Sequence, residues 1–185
     1  GSPAGRALFS ALHAELVATR GLTARACLLA QSRGGLMLYN WAVAHPAAVA
    51  CVAGIYPVCN LLSYPGLPQA CGAYGLTESQ LHAALAAHNP IDCLAPLARA
   101  QVPLYHIHGD ADAVVPLALN SGELARRYRQ LGGPMTLHVV PNGGHDHWSG
   151  WFRCQALVDF VIACARVKFG AVSAATSTLW FCRAL

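Results

Sequence analysis

Four short apolar runs, ACLLA (26–30), VACVAGI (49–55), the strand-like start of VPLYHIHGD (102–110) and MTLHVV (135–140), are separated by stretches with helical periodicity. Continuous apolar runs containing β-branched residues are the pattern of parallel strands covered on both faces. Their alternation with helices predicts an α/β, three-layer sandwich around a mostly parallel sheet of about four strands. The chain has 185 residues, enough for one domain, and its apolar content of 55% supplies a core.

The helical stretches carry their own punctuation. Leu8, Leu12 and Leu16 stand four apart with Phe9 beside them, and Gly21 follows, which predicts an amphipathic helix over about 6–20 closed by a glycine. The run GLMLYNWAVAH predicts a helix from Gly34 to about His45, stopped by Pro46. TESQLHAALAAH (77–88) predicts one helix opened by a Thr cap. PLALNSGELARRYRQLGG (116–133) predicts a helix with Pro116 near its start, one face formed by Leu124, Tyr128 and Leu131, and a Gly-Gly stop. Gln155 to Val167 carries Leu157, Phe160, Val161 and Cys164 at spacings of three and four, so this helix should pack on the sheet. Residues 57–102, punctuated by Pro and Gly, read as a lid-like insertion, and the tail 169–185 matches nothing before it.

No Asp, Glu, Lys or Arg occurs between Arg33 and Glu78, a composition suited to an interior. Pro46, Pro57, Pro65 and Pro68 cut this stretch, so no uninterrupted apolar span of about 20 residues is left for a membrane helix. The net charge of +4 is dispersed, and its densest cluster, Arg126, Arg127 and Arg129, falls on one helix as a solvated face does. Neither a membrane nor a nucleic acid is an expected partner. The eight cysteines show no C-x-x-C pair and no zinc-ligand spacing, so no metal or other cofactor is expected. The opening residues GSPAGRALFS lack the basic and apolar regions of a signal peptide, and both cytoplasmic and exported settings accord with the sequence.

Three loops carry candidate chemistry. AQSRG (30–34) places Ser32 between a strand and a helix with small residues two positions to either side, as a strained nucleophile turn requires. On this window alone a tight turn without chemistry accounts for the serine equally well. HIHGDADAVVP (106–116) puts Asp110 and Asp112 just past a strand's carboxyl end, where a carboxylate can orient an imidazole. Asp112 takes that role and Asp110 a turn-forming one. PNGGHDHW (141–148) puts His145 on a glycine-rich loop after the last strand, with His147 as the fallback base. The order Ser, Asp, His, each after a strand, is the chain order of α/β-hydrolase triads.

The blocks QSRGGLMLYNWAVAHP, HGDADAVVPLALNSGELARRYRQLGGP and PNGGHDHW resemble the second half of an α/β-hydrolase, of the prolyl-oligopeptidase-like or sugar-ester serine esterase type, over roughly residues 6–168. The resemblance implies Ser32 as nucleophile, His145 as base, Asp112 as acid and the Arg33 N–H as an oxyanion donor. Tyr56 and Trp148 would line the cleft, although core or lid packing is the favoured reading for each. It implies a serine hydrolase acting on small acyl or sugar esters, with peptidase activity or a non-catalytic hydrolase fragment as alternatives. A complete domain of this kind carries four strands ahead of the serine turn, including the second oxyanion donor, and only 31 residues precede Ser32 here. The chain therefore reads as a partial domain, 1–168. Its first strand should form an exposed apolar edge, open to a partner chain or to a missing N-terminal segment.

Overall fold

The computed structural model describes residues 1–166 and, as backbone, residues 179–183. A long helix α1 (Pro3–Arg20) leads into strand β1 (Ala26–Gln31), helix α2 (Gly34–Ala44) and strand β2 (Val49–Ile55). Four short helices follow, α3 (Leu67–Tyr74), α4 (Glu78–Ala83), α5 (Leu85–His88) and α6 (Ala95–Arg99). Strand β3 (Leu104–Gly109), helix α7 (Ser121–Gln130), strand β4 (Met135–Val140), helices α8 (Ser149–Phe152) and α9 (Gln155–Arg166) and strand β5 (Leu179–Arg183) complete the order. All pairings are parallel, in the order β4-β3-β2-β1-β5.

The two-residue period of the strands sorts the core into two layers. Ala26, Leu28, Ala30, Val52 and Leu104 face α2, α6 and α7, where Leu38, Tyr39, Trp41, Leu97, Leu124 and Tyr128 are buried against them. Cys27, Leu29, Cys51, Ala53, Ile55, Tyr105 and Ile107 face the other way, onto Trp151, Leu157 and Val161. Each fully buried large side chain of this kind contributes about 1.5–3 kcal/mol. A third cluster, Leu36, Val58, Leu61, Leu67, Ala70, Leu81 and Val115, lies beneath the 57–88 segment and joins it to the start of α2. The expected three-layer α/β sandwich is the observed architecture.

The sheet has one strand more than expected. Leu179–Arg183, inside the tail that matched nothing in the sequence, pairs in register with Cys27–Gln31. The predicted open edge on β1 is thus closed by the chain's own carboxyl-terminal strand, whose backbone satisfies the N–H and C=O groups that an edge would leave unpaired. Val167, the expected last residue of the α9 helix, lies outside the described residues.

Other departures have local causes. In α1, Gly21 closes the helix in the left-handed region (φ 62°), as expected, but Leu8 and Leu12 are 75% and 48% exposed. Only Phe9 and Leu16 of the expected face reach the core, because α1 packs on α2 rather than on the sheet. The single helix expected over 77–88 is two, α4 and α5, broken at Ala84; its start is a full capping box between Thr77 and Gln80. The helix expected from Pro116 begins only at Ser121. Leu117–Leu119 forms a 3-10 turn, and Asn120, with φ −119° and ψ −97°, separates the two. Leu124 and Tyr128 are buried as expected, whereas Leu131 is half exposed at the helix end.

Candidate active site

β1 ends one residue before Ser32 and α2 begins two residues after it, so the serine sits in a two-residue strand-to-helix turn. Its φ is +47°, a left-handed conformation that costs a residue with a Cβ about 1–3 kcal/mol. Three backbone hydrogen bonds hold it there. The Ser32 N–H donates to the Ile55 carbonyl (3.2 Å), and the Ser32 carbonyl accepts from the N–H groups of Gly35 (3.0 Å) and Val58 (2.8 Å). The glycine is obligatory at position 35, where a Cβ would come within 2.3 Å of the Val58 carbonyl oxygen. The turn is therefore clamped between its own helix and the loop after β2.

That loop is fixed by buried asparagines that the sequence reading missed. Asn120 Oδ1 accepts from the N–H groups of Cys59 (3.0 Å) and Asn60 (3.1 Å), and Asn89 Oδ1 accepts from Leu61 N–H (2.9 Å). Neither carries a local signal in the sequence, since buried polar groups survive only when hydrogen-bonded and these partners lie 28 to 61 residues away.

The three predicted side chains meet. Ser32 Oγ lies 3.0 Å from His145 Nε2, and His145 Nδ1 lies 2.7 Å from Asp112 Oδ2. With Nδ1–H donating to the carboxylate, Nε2 is left as the acceptor of the serine proton. Asp112 is 4% exposed, and its Oδ1 accepts from Val114 N–H (3.0 Å) and Val115 N–H (2.7 Å). Burial pushes its carboxyl group up, but hydrogen bonds from His108, His145 and Val115 outweigh that and hold it well below the usual carboxylate range. Asp112 is thus an anion aimed at the imidazole.

The loop carrying His145 is latched to its surroundings. Ala111 N–H donates to the Gly143 carbonyl (3.1 Å), and Asn142 N–H donates to Asp110 Oδ1 (2.7 Å). Asp110, expected to shape its own turn, therefore ties the acid loop to the histidine loop. The two loops meet so closely at Gly109 that a Cβ there would lie 2.0 Å from the Gly143 oxygen. On the far side, Asp146 accepts from Trp151 Nε1–H (2.7 Å) and Trp148 N–H (3.0 Å). His147, the fallback base, is exposed; it is His145 that reaches Ser32.

Arg33 stands at the amino end of α2, with its side chain exposed. Its N–H belongs to the first turn of that helix, on the nucleophile's carboxyl side. Of the two places expected for it, Tyr56 takes the packing one. It is 1% exposed, its ring packs against His145 with centroids 4.4 Å apart, and its hydroxyl donates to the Asp146 carbonyl (2.9 Å) while accepting from Gln31 Nε2 (2.8 Å). Tyr56 therefore props the base from beneath. Trp148 is 55% exposed and packs edge-on against Trp151. An apolar groove of about 410 Å³ lies between β1 and α9, lined by Leu29, Ile55, Trp151, Leu157 and Val161 among others. Among the described residues, no group of three His, Cys, Asp or Glu is arranged to hold a metal ion, and no helix is long and apolar enough to cross a membrane.

Comparison with known proteins accords with this geometry. No curated protein matches the chain in sequence. Solved structures match in fold: an acylaminoacyl peptidase of Pyrococcus horikoshii (TM-score 0.64, 17% identity, 88% of this chain and 28% of that one) and dipeptidyl peptidase 4 of Porphyromonas gingivalis (TM-score 0.69, 16% identity, 86% and 22%). A puromycin hydrolase is also similar (TM-score 0.62, 19% identity, 91% and 26%). The chain thus spans about a quarter of the length of these neighbours. The model of the prolyl oligopeptidase family matches residues 11–163, a stretch that holds the serine turn, the acid loop and the histidine loop together. The chain belongs to the prolyl oligopeptidase family.

Proposed function

We propose that the chain carries the catalytic centre of a serine peptidase acting on short peptides through an acyl-enzyme. The observation that carries this reading is the unbroken line from Ser32 Oγ to His145 Nε2 (3.0 Å) and from His145 Nδ1 to Asp112 Oδ2 (2.7 Å). His145 takes the Ser32 proton as the oxygen attacks the carbonyl carbon, and Asp112 stabilises the resulting imidazolium. The tetrahedral oxyanion is held by the Arg33 N–H, a donor whose loss costs about 100- to 1000-fold in such enzymes. His145 then returns the proton to the leaving amine, and water, deprotonated by the same imidazole, releases the acid.

Peptides are preferred over esters as the substrate class because the matching family and two of the three similar solved structures are peptidases by name. An activated ester demands less of the same groups, so hydrolysis of small acyl esters, the leading expectation from sequence, remains the second reading. Hydrolysis of aminoacyl p-nitroanilides and of p-nitrophenyl acetate by the 185-residue chain separates the two. Release of nitroaniline that disappears in Ser32→Ala supports the peptidase. Turnover of the ester alone assigns the chain to esterases, and turnover of neither, with the protein folded, assigns it to non-catalytic fragments.

A further inference from the structure

The carboxylate of Asp112 is shared by two histidines. His108 Nε2 lies 3.2 Å from the same Oδ2 that His145 contacts, and 2.9 Å from the Val115 carbonyl. Behind it a line of fully buried polar groups crosses the sheet face. His108 Nδ1 is 2.8 Å from Ser121 Oγ, Ser121 Oγ is 2.8 Å from His106 Nδ1, and His106 Nε2 is 2.5 Å from the Tyr39 hydroxyl. His106 and His108 alternate with Ile107 on β3, so both point to the layer holding α2 and α7, where Tyr39 and Ser121 reside.

One carbonyl sets the direction of every proton in this line. The Val115 oxygen can only accept, so His108 carries its proton on Nε2, and in the neutral ring Nδ1 is bare. Ser121 must then donate its O–H to His108 Nδ1 and accept from His106 Nδ1–H. His106 Nε2 is bare in turn and accepts from Tyr39. We infer that His108 is a positioning residue for the Ser32 centre: as a neutral Nε2–H donor, backed by Ser121, His106 and Tyr39, it holds Asp112 anionic and in the rotamer that His145 requires. This rests on the proposed hydrolase reading and adds to it an imidazole on the far side of the acid.

Asp112 thereby receives the N–H groups of Val114 and Val115, the His145 imidazole, and a share of the His108 Nε2–H, whose one proton lies between the Val115 oxygen (2.9 Å) and Oδ2 (3.2 Å). The ionisable groups around His108 are Asp112 on the following loop, His106 on its own strand, Tyr39 of α2 beyond His106 and His145 across the carboxylate; α7 contributes the Ser121 hydroxyl. Burial together with the neighbouring His108 drives His106 down to about 3, so the inner imidazole stays neutral and offers one donor and one acceptor, as the line requires. A hydrogen bond to the charged form of an acid favours that form. Without the His108 donor, the carboxylate charge falls more fully on His145.

The test is fluorophosphonate labelling of the 185-residue chain as a function of pH, with nitrogen NMR of the histidine rings. His108→Leu is expected to slow labelling of Ser32 by about tenfold or more, the scale of a hydrogen bond to a charged group, and to move the pH midpoint of labelling upward. His108→Gln, which can return a donor near the position of Nε2, should recover most of both. NMR of the unaltered protein should show His108 protonated on Nε2 alone at neutral pH, a result independent of whether His108→Leu folds. A His108→Leu protein labelled at the original rate with an unmoved midpoint overturns the inference, as does a His108 protonated on Nδ1 or on both nitrogens. Those outcomes leave the hydrolase reading intact, whereas an unlabelled wild-type protein removes that reading and this one together.

Discussion

The Tyr56 ring packs beneath the His145 imidazole, 4.4 Å between centroids, while its hydroxyl bridges Gln31 on β1 and the Asp146 carbonyl beside the histidine. One side chain thus ties the base to the strand that carries the nucleophile. Tyr56 itself holds a positive φ of 35°, and its N–H donates to the Ile107 carbonyl (2.8 Å), so it is anchored to β3 as well. Tyr56→Phe keeps the ring and removes the bridge, leaving the buried Gln31 amide and the Asp146 carbonyl without that partner. Stability should fall by about 1–3 kcal/mol, and labelling of Ser32 should slow by about tenfold as the loop loosens. Urea denaturation alongside labelling kinetics checks both.

The strain at Ser32 is measurable. Its φ of +47° suits glycine and penalises any residue with a Cβ. Ser32→Gly and Ser32→Ala both remove the hydroxyl, so their difference isolates the backbone. Ser32→Gly should be the more stable by about 1 kcal/mol, or about 2–4 °C in Tm, after allowing for the greater freedom of unfolded glycine. Ser32→Gly less stable than Ser32→Ala by about 0.4–1 kcal/mol, the unfolded-state effect alone, would show that the turn stores no strain.

Acid should weaken the fold through His106 before it reaches the carboxylates. An unfolded histidine binds a proton near pH 6.5, whereas buried His106 does so only near 3. Above about 6.5 both states are neutral there and His106 makes stability no more pH-dependent. Below it the unfolded chain takes up a proton that the folded chain refuses, and stability falls by about 1.4 kcal/mol per pH unit. Burial lowers His88 too, which adds in the same direction. Asp112 acts later: its folded pKa is depressed, so its contribution is present above about pH 4 and lost below. Urea midpoints measured from pH 7 to 4.5 should therefore decline, and His106→Gln should flatten that decline.

The parts of the centre legible in the sequence are those whose signal is local. Ser32 was marked by small residues around a strand-helix junction, Asp112 and His145 by their places just beyond strands, and their chain order linked them. The supports were not legible, because they span the chain: Tyr56 reaches Asp146, Asn120 reaches Cys59, and Ser121 joins His106 to His108. Periodicity also misjudged Leu8 and Leu12, since a helix packed on another helix buries a narrower stripe than one packed on the sheet. The tail was read as unmatched because a five-residue strand shows no period until its partner, here β1, is known.

Site-mapped fluorophosphonate labelling tests most directly whether Ser32, His145 and Asp112 act as one unit. The account predicts stoichiometric modification at Ser32 in the wild-type chain and its near-complete loss in His145→Ala, with Asp112→Asn strongly slowed although folded. Modification at another residue, or labelling of Ser32 that proceeds unchanged without His145, would contradict it.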